Sequence, residues 1–251
     1  MLICAGSRRY HGSLILAIRA AVRFCDLVYV YCEEKSGDNR VLVRKLKISS
    51  PNIIILRSSH ELSLFLPRMD AILAGPGWEE NGANKRLLRI LLKSGKPIVL
   101  DSGALALMSG SAGRSLRRFM HSGCLLTPHR GEFKRLTRHE AGAASVRAAA
   151  RSMGCTILCK GPIDLISYSS RFKINTTHHA GMTKGGSGDT LAGLCAALMA
   201  DHNEPFMTAC ASIYLLGLCG VRLSKRMGAH YSSEDLVDEL PMAACYIEKR
   251  R

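Results

Sequence analysis

Short apolar runs rich in β-branched residues alternate with helical stretches along most of this chain of 251 residues. The apolar runs occupy residues 2–5, 27–31, 53–56, 71–74, 97–100, 124–126 and 156–160. Segments with the apolar spacing of helices lie between them, for example at residues 13–24, 84–93 and 140–153. Because continuously apolar strands are typical of parallel sheets, this alternation predicts an α/β fold with a mainly parallel central sheet and helices on both faces.

The pattern changes in the second half of the chain. Residues 165–167 and 172–175 flank a polar turn and predict a hairpin. Helices are predicted at residues 190–200, 205–223 and 233–249, with Pro205 well placed at a helix start. The sequence contains no internal repeat and no Pro/Ser-rich linker. We therefore expect residues 1–251 to form a single domain.

Charge and apolar content limit the possible partners. Lys and Arg number 35 against 20 Asp and Glu, a formal charge of +15 that favours anionic ligands. Nucleic acid is not expected as a partner, because the basic residues are dispersed and aromatic residues are only 6%. The longest uncharged apolar run, residues 206–221, has 16 residues, which is short of a bilayer span. With no signal-peptide pattern and ten scattered cysteines, we expect a cytoplasmic protein that does not bind membranes.

Loops rich in glycine and polar residues follow several of the predicted strands. They begin at Gly6, Gly75, Asp101, Thr127 and Lys160. In open parallel sheets, ligands bind beyond the carboxyl ends of the strands. Loops of this kind on one edge of the sheet predict a binding site there.

The sharpest motif is the run Gly185-Gly186-Ser187-Gly188-Asp189, which precedes an apolar helix. Free N–H groups at a helix start bind phosphate, so Gly186, Ser187 and Gly188 are candidate catalytic residues that hold a phosphoryl group. Asp189 is a candidate acceptor for the proton of an attacking hydroxyl. The alternative is a turn in which the acid only stabilises the helix start.

Each of several other residues at the same edge has a functional interpretation and a structural one. His129 is a candidate substrate ligand, and Glu132 is a candidate magnesium residue acting through water; both also fit a helix start. Asp101 is a candidate second carboxylate near the metal or phosphates, or a cap of the next helix. Lys160 is a candidate ligand of nucleotide phosphates, or a solvated residue at a strand end. Trp78 suits stacking or simple packing.

The order of these motifs resembles one family. The similar segments are Gly6-Ser7…Tyr10…Gly12-Ser13, Gly75-Pro76-Gly77, Asp101…Ala104-Leu105, Thr127-Pro128-His129…Gly131-Glu132-Phe133, Leu158…Lys160-Gly161 and Gly185-Gly186-Ser187-Gly188-Asp189…Leu191-Ala192-Gly193. Together they resemble the ADP/ATP-dependent NAD(P)H-hydrate dehydratases of the ribokinase-like superfamily, and archaeal members in particular. The resemblance extends from residue 2 to about residue 220 and is weak at residues 33–68 and after 221. At this length the epimerase domain fused to many relatives is not expected.

The resemblance implies a three-layer ribokinase-like sandwich and a lyase that repairs hydrated NADH or NADPH. The ring hydroxyl would be phosphorylated by ADP or ATP with Mg²⁺, and phosphate elimination would restore the double bond. The positions implied for substrate are Ser13, Gly77, His129 and Asp189; those implied for nucleotide are Lys160, Gly161, Pro162, Ile163, Asp164 and Gly188. A homo-oligomer is also implied, with a tetramer as the common family state. A small-molecule kinase of the same superfamily, acting on a vitamin precursor, nucleoside or sugar, is the alternative.

Four places depart from the family pattern. Ser13 stands where Ala is usual, and Trp78-Glu79 stands where Leu-Gly is usual. Asp101-Ser102-Gly103-Ala104-Leu105 replaces DADAL, so the second Asp is lost at Gly103. Arg130 stands where Pro is usual. These altered loops imply a changed substrate preference, while the phosphoryl-transfer residues stay in place.

Overall fold

In a computed structural model, residues 1–32, 46 and 52–249 are described. Within them the strands are β1 Leu2–Cys4, β2 Val28–Tyr31, β3 Ile53–Leu56, β4 Ile72–Ala74, β5 Ile98–Leu100, β6 Cys124–Leu126, β7 Thr156–Cys159, β8 Asp164–Tyr168 and β9 Arg171–Asn175. They form one sheet in the order β3-β2-β1-β4-β5-β6-β7-β8-β9. Every pair from β3 to β7 is parallel, and the predicted mainly parallel sheet is confirmed.

The predicted hairpin is also confirmed, at one edge of the sheet. β8 pairs antiparallel with β7, and β9 pairs antiparallel with β8. Both strands are longer than the sequence predicts, since the pairing extends from Asp164↔Asn175 to Tyr168↔Arg171. Ser169, in the turn, has a φ of 53°.

Helices cover both faces of the sheet. They are α1 His11–Ala21, α2 Ser59–Phe65, α3 Gly82–Lys93, α4 Gly103–Met108, α5 Arg114–Arg117, α6 Arg130–Thr137, α7 Ala143–Met153, α8 Ser187–Ala200, α9 Pro205–Met227 and α10 Ser233–Glu248. Some boundaries differ from the sequence prediction. α1 begins at His11 instead of residue 13, and α7 begins after Gly142, whose amide is capped by the Ser145 hydroxyl, instead of at residue 140.

The apolar core has two layers, one on each face of the sheet. Ile3 of β1 and Val99 of β5 face the layer that contains α1, α8, α9 and α10. Leu2 and Leu100 face the opposite layer, which contains α2 to α7. This alternation follows from the two-residue period of a strand. The three-layer sandwich predicted from the resemblance is confirmed.

α9 is the most apolar long helix in the described part of the chain. Its length and hydropathy would allow it to cross a membrane, but 61% of its apolar window is buried in the fold. Its buried residues pack in the same layer as α8 and α10. We therefore interpret α9 as a core helix. Seven of the ten cysteines are likewise buried, as the sequence predicts.

Candidate functional site

A cleft of about 640 Å³ opens at the carboxyl edge of the sheet. β1, β4, β5, β6 and β7 are neighbours in the sheet, so the loops that follow them meet there. The cleft is lined by residues that follow β1, β4, β5 and β6 and by the start of α8, among them Tyr10, Ser13, Gly77, Trp78, Ser102, Gly103, His129, Glu132 and Asp189. The four residues predicted to contact substrate, Ser13, Gly77, His129 and Asp189, thus lie on one cleft.

Asp189 lies in the first turn of α8, at the inner wall of the cleft. The pKa of this carboxyl group is raised from 3.8 to about 6, mainly by burial and also by the charge of Asp101. A hydrogen bond with Ser13 and the charge of Lys160 act in the opposite direction. A carboxyl group with a pKa near 6 is ionised at neutral pH and is a better proton acceptor than an ordinary Asp.

Lys160 lies at the centre of the charged groups. Its ammonium donates to Asp101 Oδ1 at 2.8 Å, and Thr127 Oγ1 donates to the same oxygen at 2.8 Å. Burial lowers the Lys160 pKa, but Asp101, Glu132 and Asp189 outweigh burial and raise it above its ordinary value. The solvated-strand-end alternative for Lys160 is therefore wrong, since only 18% of the side chain is exposed.

The glycine-rich run forms the N-terminal end of α8. Gly186 precedes the helix with a φ of 97°, in the left-handed region that favours glycine. Within the described residues, the amides of Gly186, Ser187 and Gly188 donate no hydrogen bond to protein. Gly188 approaches Lys160 closely, because a Cβ on Gly188 would lie 3.2 Å from Nζ. Unpartnered amides beside an ammonium group are suited to binding an anion.

The start of α6 places His129 and Glu132. His129 caps the helix: its Nδ1 accepts from the amides of Gly131 and Glu132 at 3.0 and 3.3 Å. Glu132 Oε2 accepts from the His129 amide at 2.9 Å, which completes a capping box. The two residues therefore have the structural role that their helix-start alternative predicts. His129 Nδ1 is an acceptor, so the neutral ring carries its proton on Nε2, and 63% of the side chain is exposed.

Residues 160–164, the predicted nucleotide segment, join β7 to β8. The Gly161 amide donates to Asp164 Oδ1 at 3.0 Å, and Asn175 donates to Asp164 Oδ2 at 2.9 Å. Burial raises the pKa of the Asp164 carboxyl group. Pro162 and Ile163 are exposed, and Ile163 presents an apolar side chain at the rim. Lys160 differs from its neighbours because its side chain turns inward toward Asp101.

Gly103 and Trp78, two of the residues that depart from the family pattern, are in contact in the fold. A Cβ on Gly103 would lie 2.4 Å from the carbonyl oxygen of Trp78. An Asp at position 103 would therefore collide with the backbone that carries Trp78, which is itself buried in the core layer of α2 to α7. The structure therefore favours the interpretation that Trp78 packs in the core. Ser102, between Asp101 and Gly103, has a φ of 47° and lines the cleft.

Sequence reasoning missed the residues that hold the charged groups and the glycine-rich run. Thr127 binds Asp101, and Ser233 Oγ donates to the carbonyl of Gly185 at 2.7 Å. Lys184 Nζ donates to the carbonyl of Tyr231 at 2.7 Å. Thr127 follows a predicted strand, so its place at the carboxyl edge of the sheet was predictable, but its hydrogen bond to Asp101 was not. No signal in the sequence links Ser233 or Tyr231 to a run that begins about 45 residues earlier.

The oxygen donors available to a magnesium ion at this edge of the sheet are the carboxylates of Asp101, Glu132 and Asp189. No group of three His, Cys, Asp or Glu side chains in the described residues is arranged to hold a metal ion. Mg²⁺ commonly binds through one or two carboxylates together with substrate phosphates and water. Asp101, Glu132 and Asp189 are close enough for their charges to influence one another, which fits an ion that arrives with a nucleotide. Glu132 as a water-mediated magnesium residue stays a prediction.

Comparisons with known proteins agree with this geometry. The family described as NAD(P)H-hydrate dehydratase matches residues 1–242. The bifunctional NAD(P)H-hydrate repair enzyme Nnr of Archaeoglobus fulgidus is 34% identical over 252 residues, which is 96% of this chain and 50% of that protein. The ADP-dependent (S)-NAD(P)H-hydrate dehydratase of Cenarchaeum symbiosum is 32% identical over 262 residues, 96% of this chain and 86% of that protein.

A crystal structure shows the same fold. It is that of the ADP/ATP-dependent NAD(P)H-hydrate dehydratase of Bacillus subtilis co-crystallised with ATP/Mg²⁺, with a TM-score of 0.79 and 24% identity over 98% of this chain and 88% of that one. The chain spans about half the length of the bifunctional curated relatives it matches. Family, fold and the edge-of-sheet site thus point in one direction, and the chain belongs to the NAD(P)H-hydrate dehydratase family.

Proposed function

We propose that this protein uses ADP or ATP to dehydrate hydrated NADH or NADPH, restoring the reduced nicotinamide. One observation carries the proposal: Asp189, with its raised pKa, lies between a substrate-sized cleft and the unpartnered amides at the start of α8. This arrangement suits the transfer of a phosphoryl group to a hydroxyl. Relatives that carry this activity in their names support it.

The first step transfers a phosphoryl group. The ring hydroxyl lies in the cleft near Ser13 and His129, and its oxygen attacks the terminal phosphorus of the nucleotide. Asp189 accepts the hydroxyl proton late in this step, when the oxygen has become acidic. The amides of Gly186, Ser187 and Gly188, together with the Lys160 ammonium, stabilise the negative charge on the phosphoryl oxygens.

The second step is elimination. Phosphate departs with the electrons of the carbon–oxygen bond, and a neighbouring ring carbon loses a proton, so that the ring double bond is restored. The balance is hydrate plus ADP giving NADH, AMP and phosphate, or hydrate plus ATP giving NADH, ADP and phosphate. Magnesium carried by the nucleotide would supply further charge neutralisation at the transferring group, with Glu132 holding one of its waters.

The nucleotide is proposed to bind along residues 160–164. The exposed surface of Pro162 and Ile163 lies beside the end of β7 that carries Lys160, and the Gly161 amide, bonded to Asp164, fixes the turn of this segment. Gly188 would contact the same phosphates from α8. We also propose that residues 1–251 form one domain, that the protein acts in the cytoplasm, and that it assembles as a homo-oligomer, with four copies as the expected number.

The test is the reaction itself. Purified protein is incubated with enzymatically hydrated NADH, MgCl₂ and either ADP or ATP, and the near-ultraviolet absorbance of NADH is followed. We expect absorbance to return only when a nucleotide is present. Return without nucleotide, or no return with either nucleotide, would contradict the proposal. Accumulation of a stable phosphate ester from a vitamin precursor, nucleoside or sugar would identify the kinase alternative instead.

A further inference from the structure

Arg130 is the first residue of α6 and directly follows His129. Its side chain crosses to the neighbouring loop, where a Cβ on Gly161 would lie 2.8 Å from Arg130 Nε and 3.5 Å from Cζ. The two loops are joined there by a parallel bridge between His129 and Lys160. The guanidinium group therefore lies directly on the backbone of Gly161, in space that exists because residue 161 has no side chain.

The positive charge of Arg130 is electrostatically unfavourable where it stands in the fold. A helix start carries partial positive charge, so a cation at its first position is unfavourable there. Arg130 has no hydrogen bond or ion pair with a carboxylate within residues 1–32, 46 and 52–249, and its side chain is exposed. Lys160 is near enough that both cations affect Cys159. A bound anion would relieve this concentration of positive charge.

We propose that Arg130 binds the phosphate chain of the nucleoside diphosphate or triphosphate, across Gly161. This inference rests on the proposed function and adds a residue to its nucleotide site. The guanidinium fork presents several N–H donors in a plane and matches phosphate oxygens better than an ammonium group does. The group lies beside the Gly161 backbone, at the start of the nucleotide segment.

Direct binding separates this role from catalysis. ADP and ATP, each with MgCl₂, and adenosine as a phosphate-free probe, are titrated by calorimetry into wild type, Arg130→Gln, Arg130→Lys and Arg89→Gln. Arg89 is an exposed arginine of α3 that lines neither the cleft nor the nucleotide segment, so its variant makes the same charge change elsewhere. We expect Arg130→Gln to weaken ADP about tenfold, which is the loss of roughly one charge-assisted hydrogen bond. Adenosine binding should not change, Arg130→Lys should lie in between, and Arg89→Gln should match wild type.

The outcomes distinguish this inference from the proposed function. Equal ADP affinity in wild type and Arg130→Gln, or an equal loss in Arg89→Gln, would overturn the role of Arg130 and leave the activity standing. In steady state the KM for nucleotide should rise in Arg130→Gln while the KM for hydrated NADH stays constant. The opposite pattern would assign Arg130 to the dinucleotide and overturn the inference. Failure of wild type to bind either nucleotide would overturn the proposed function as well.

Discussion

The carboxylates of Asp101, Glu132 and Asp189 surround the ammonium group of Lys160. The Lys160 ammonium donates a hydrogen bond to Asp101, so its charge stabilises the ionised forms of Glu132 and Asp189 less than it stabilises that of Asp101. Burial is the main cause of the raised pKa of both Glu132 and Asp189, and the charge of Asp101 adds to it. One residue, Asp101, is thus the structural partner of Lys160, and this leaves Asp189 as a weakly stabilised carboxylate that readily accepts a proton.

Removing the carboxylate of Asp189 tests its role as the proton acceptor. Asp189→Asn should lower kcat by about 10²- to 10⁴-fold, the usual contribution of a positioned base. Nucleotide affinity should change much less, since the amides of α8 and the Arg130 and Lys160 side chains remain. The measurement is kcat in the absorbance assay together with the Kd for ADP by calorimetry. A kcat close to wild type would return Asp189 to a helix-capping role.

Stability separates the same two roles independently. The folded-state pKa of Asp189 is raised from 3.8 to about 6, so the folded protein binds more protons than the unfolded chain between these values. Ionisation of Asp189 therefore costs stability progressively from about pH 4 to pH 6, and the full cost is present above pH 6. Asp189→Asn should be about 1–3 kcal/mol more stable than wild type at pH 7 in urea unfolding. If Asp189 were only a helix cap, the variant would instead be less stable.

The pH profile follows from the same raised pKa. Because the acceptor must be ionised, kcat/KM should fall about tenfold per pH unit below roughly pH 6, the pKa of Asp189 in the free enzyme. His129→Gln is the matched variant, since His129 lines the same cleft and the Asp189 carboxylate remains in place. The acid limb should persist in His129→Gln and disappear in the residual activity of Asp189→Asn. A limb lost in His129→Gln, or kept in Asp189→Asn, would contradict the role of Asp189.

At the scale of elements, the start of α8 depends on one unusual residue. Gly186 has a φ of 97°, and a Cβ there would lie 2.4 Å from Leu16 Cδ1 and 3.0 Å from Ser233 Oγ. α1 and α10 therefore approach the glycine-rich run from both sides. Their packing fixes the direction in which the amides of α8 point, and the Ser233–Gly185 hydrogen bond holds the preceding carbonyl.

Substituting this glycine should damage both stability and phosphate binding. Gly186→Ala should cost about 1–3 kcal/mol, because alanine meets steric strain at this φ and displaces Leu16. It should also weaken ADP binding, since the amides of Ser187 and Gly188 would turn. Gly185→Ala is the matched control: a Cβ there meets nothing within 4 Å. Urea unfolding and calorimetry measure the two effects, and equal behaviour of both variants would contradict the role of Gly186.

Elements with a strong local signal were predictable from the sequence. β3 and β6 have the predicted bounds, since each is a short apolar run ended by polar residues. α4 was missed because Gly103–Met108 is short and almost wholly buried, so it lacks amphipathic spacing. α2 was missed as well, although Ser58 caps it by accepting from the Glu61 amide. α9 continues to Met227, four residues past its predicted end, and Arg226 in this last turn forms an ion pair with Glu239 of α10.

At the scale of the whole molecule, the order of the strands in the sheet decides which features of the site were predictable from the sequence. The edge carrying the polar loops was predictable, because parallel strands end on the same side. The pairing of Lys160 with Asp101 was not, since it requires β5 and β7 to flank β6. Trp78 and Gly103 likewise meet only because β4 and β5 are neighbours, so two departures that look independent in sequence form one contact in the fold.

The charge of +15 is also a property of the whole molecule. Part of the excess lies on the exposed surface of α3 and α5, where Arg86, Arg89, Lys93 and Arg114 have no role in the cleft. Lys160, which faces the transferring group, is held by the Asp101 carboxylate, whereas these surface cations form no ion pair with a carboxylate among the described residues. We therefore expect the surface charge to attract polyanions without reading their sequence.

Duplex DNA provides the test of that expectation. Binding followed by fluorescence anisotropy should be weak, equal for unrelated sequences, and should fall steeply as salt rises from about 50 to 200 mM, because affinity of this kind comes from counterion release. ADP binding should fall much less over the same range, since its phosphates are proposed to meet the oriented amides at the start of α8 as well as charge. Nanomolar binding to one particular sequence at physiological salt, or a matched loss of ADP and DNA binding with salt, would contradict this division between a specific anion site and a diffusely basic surface.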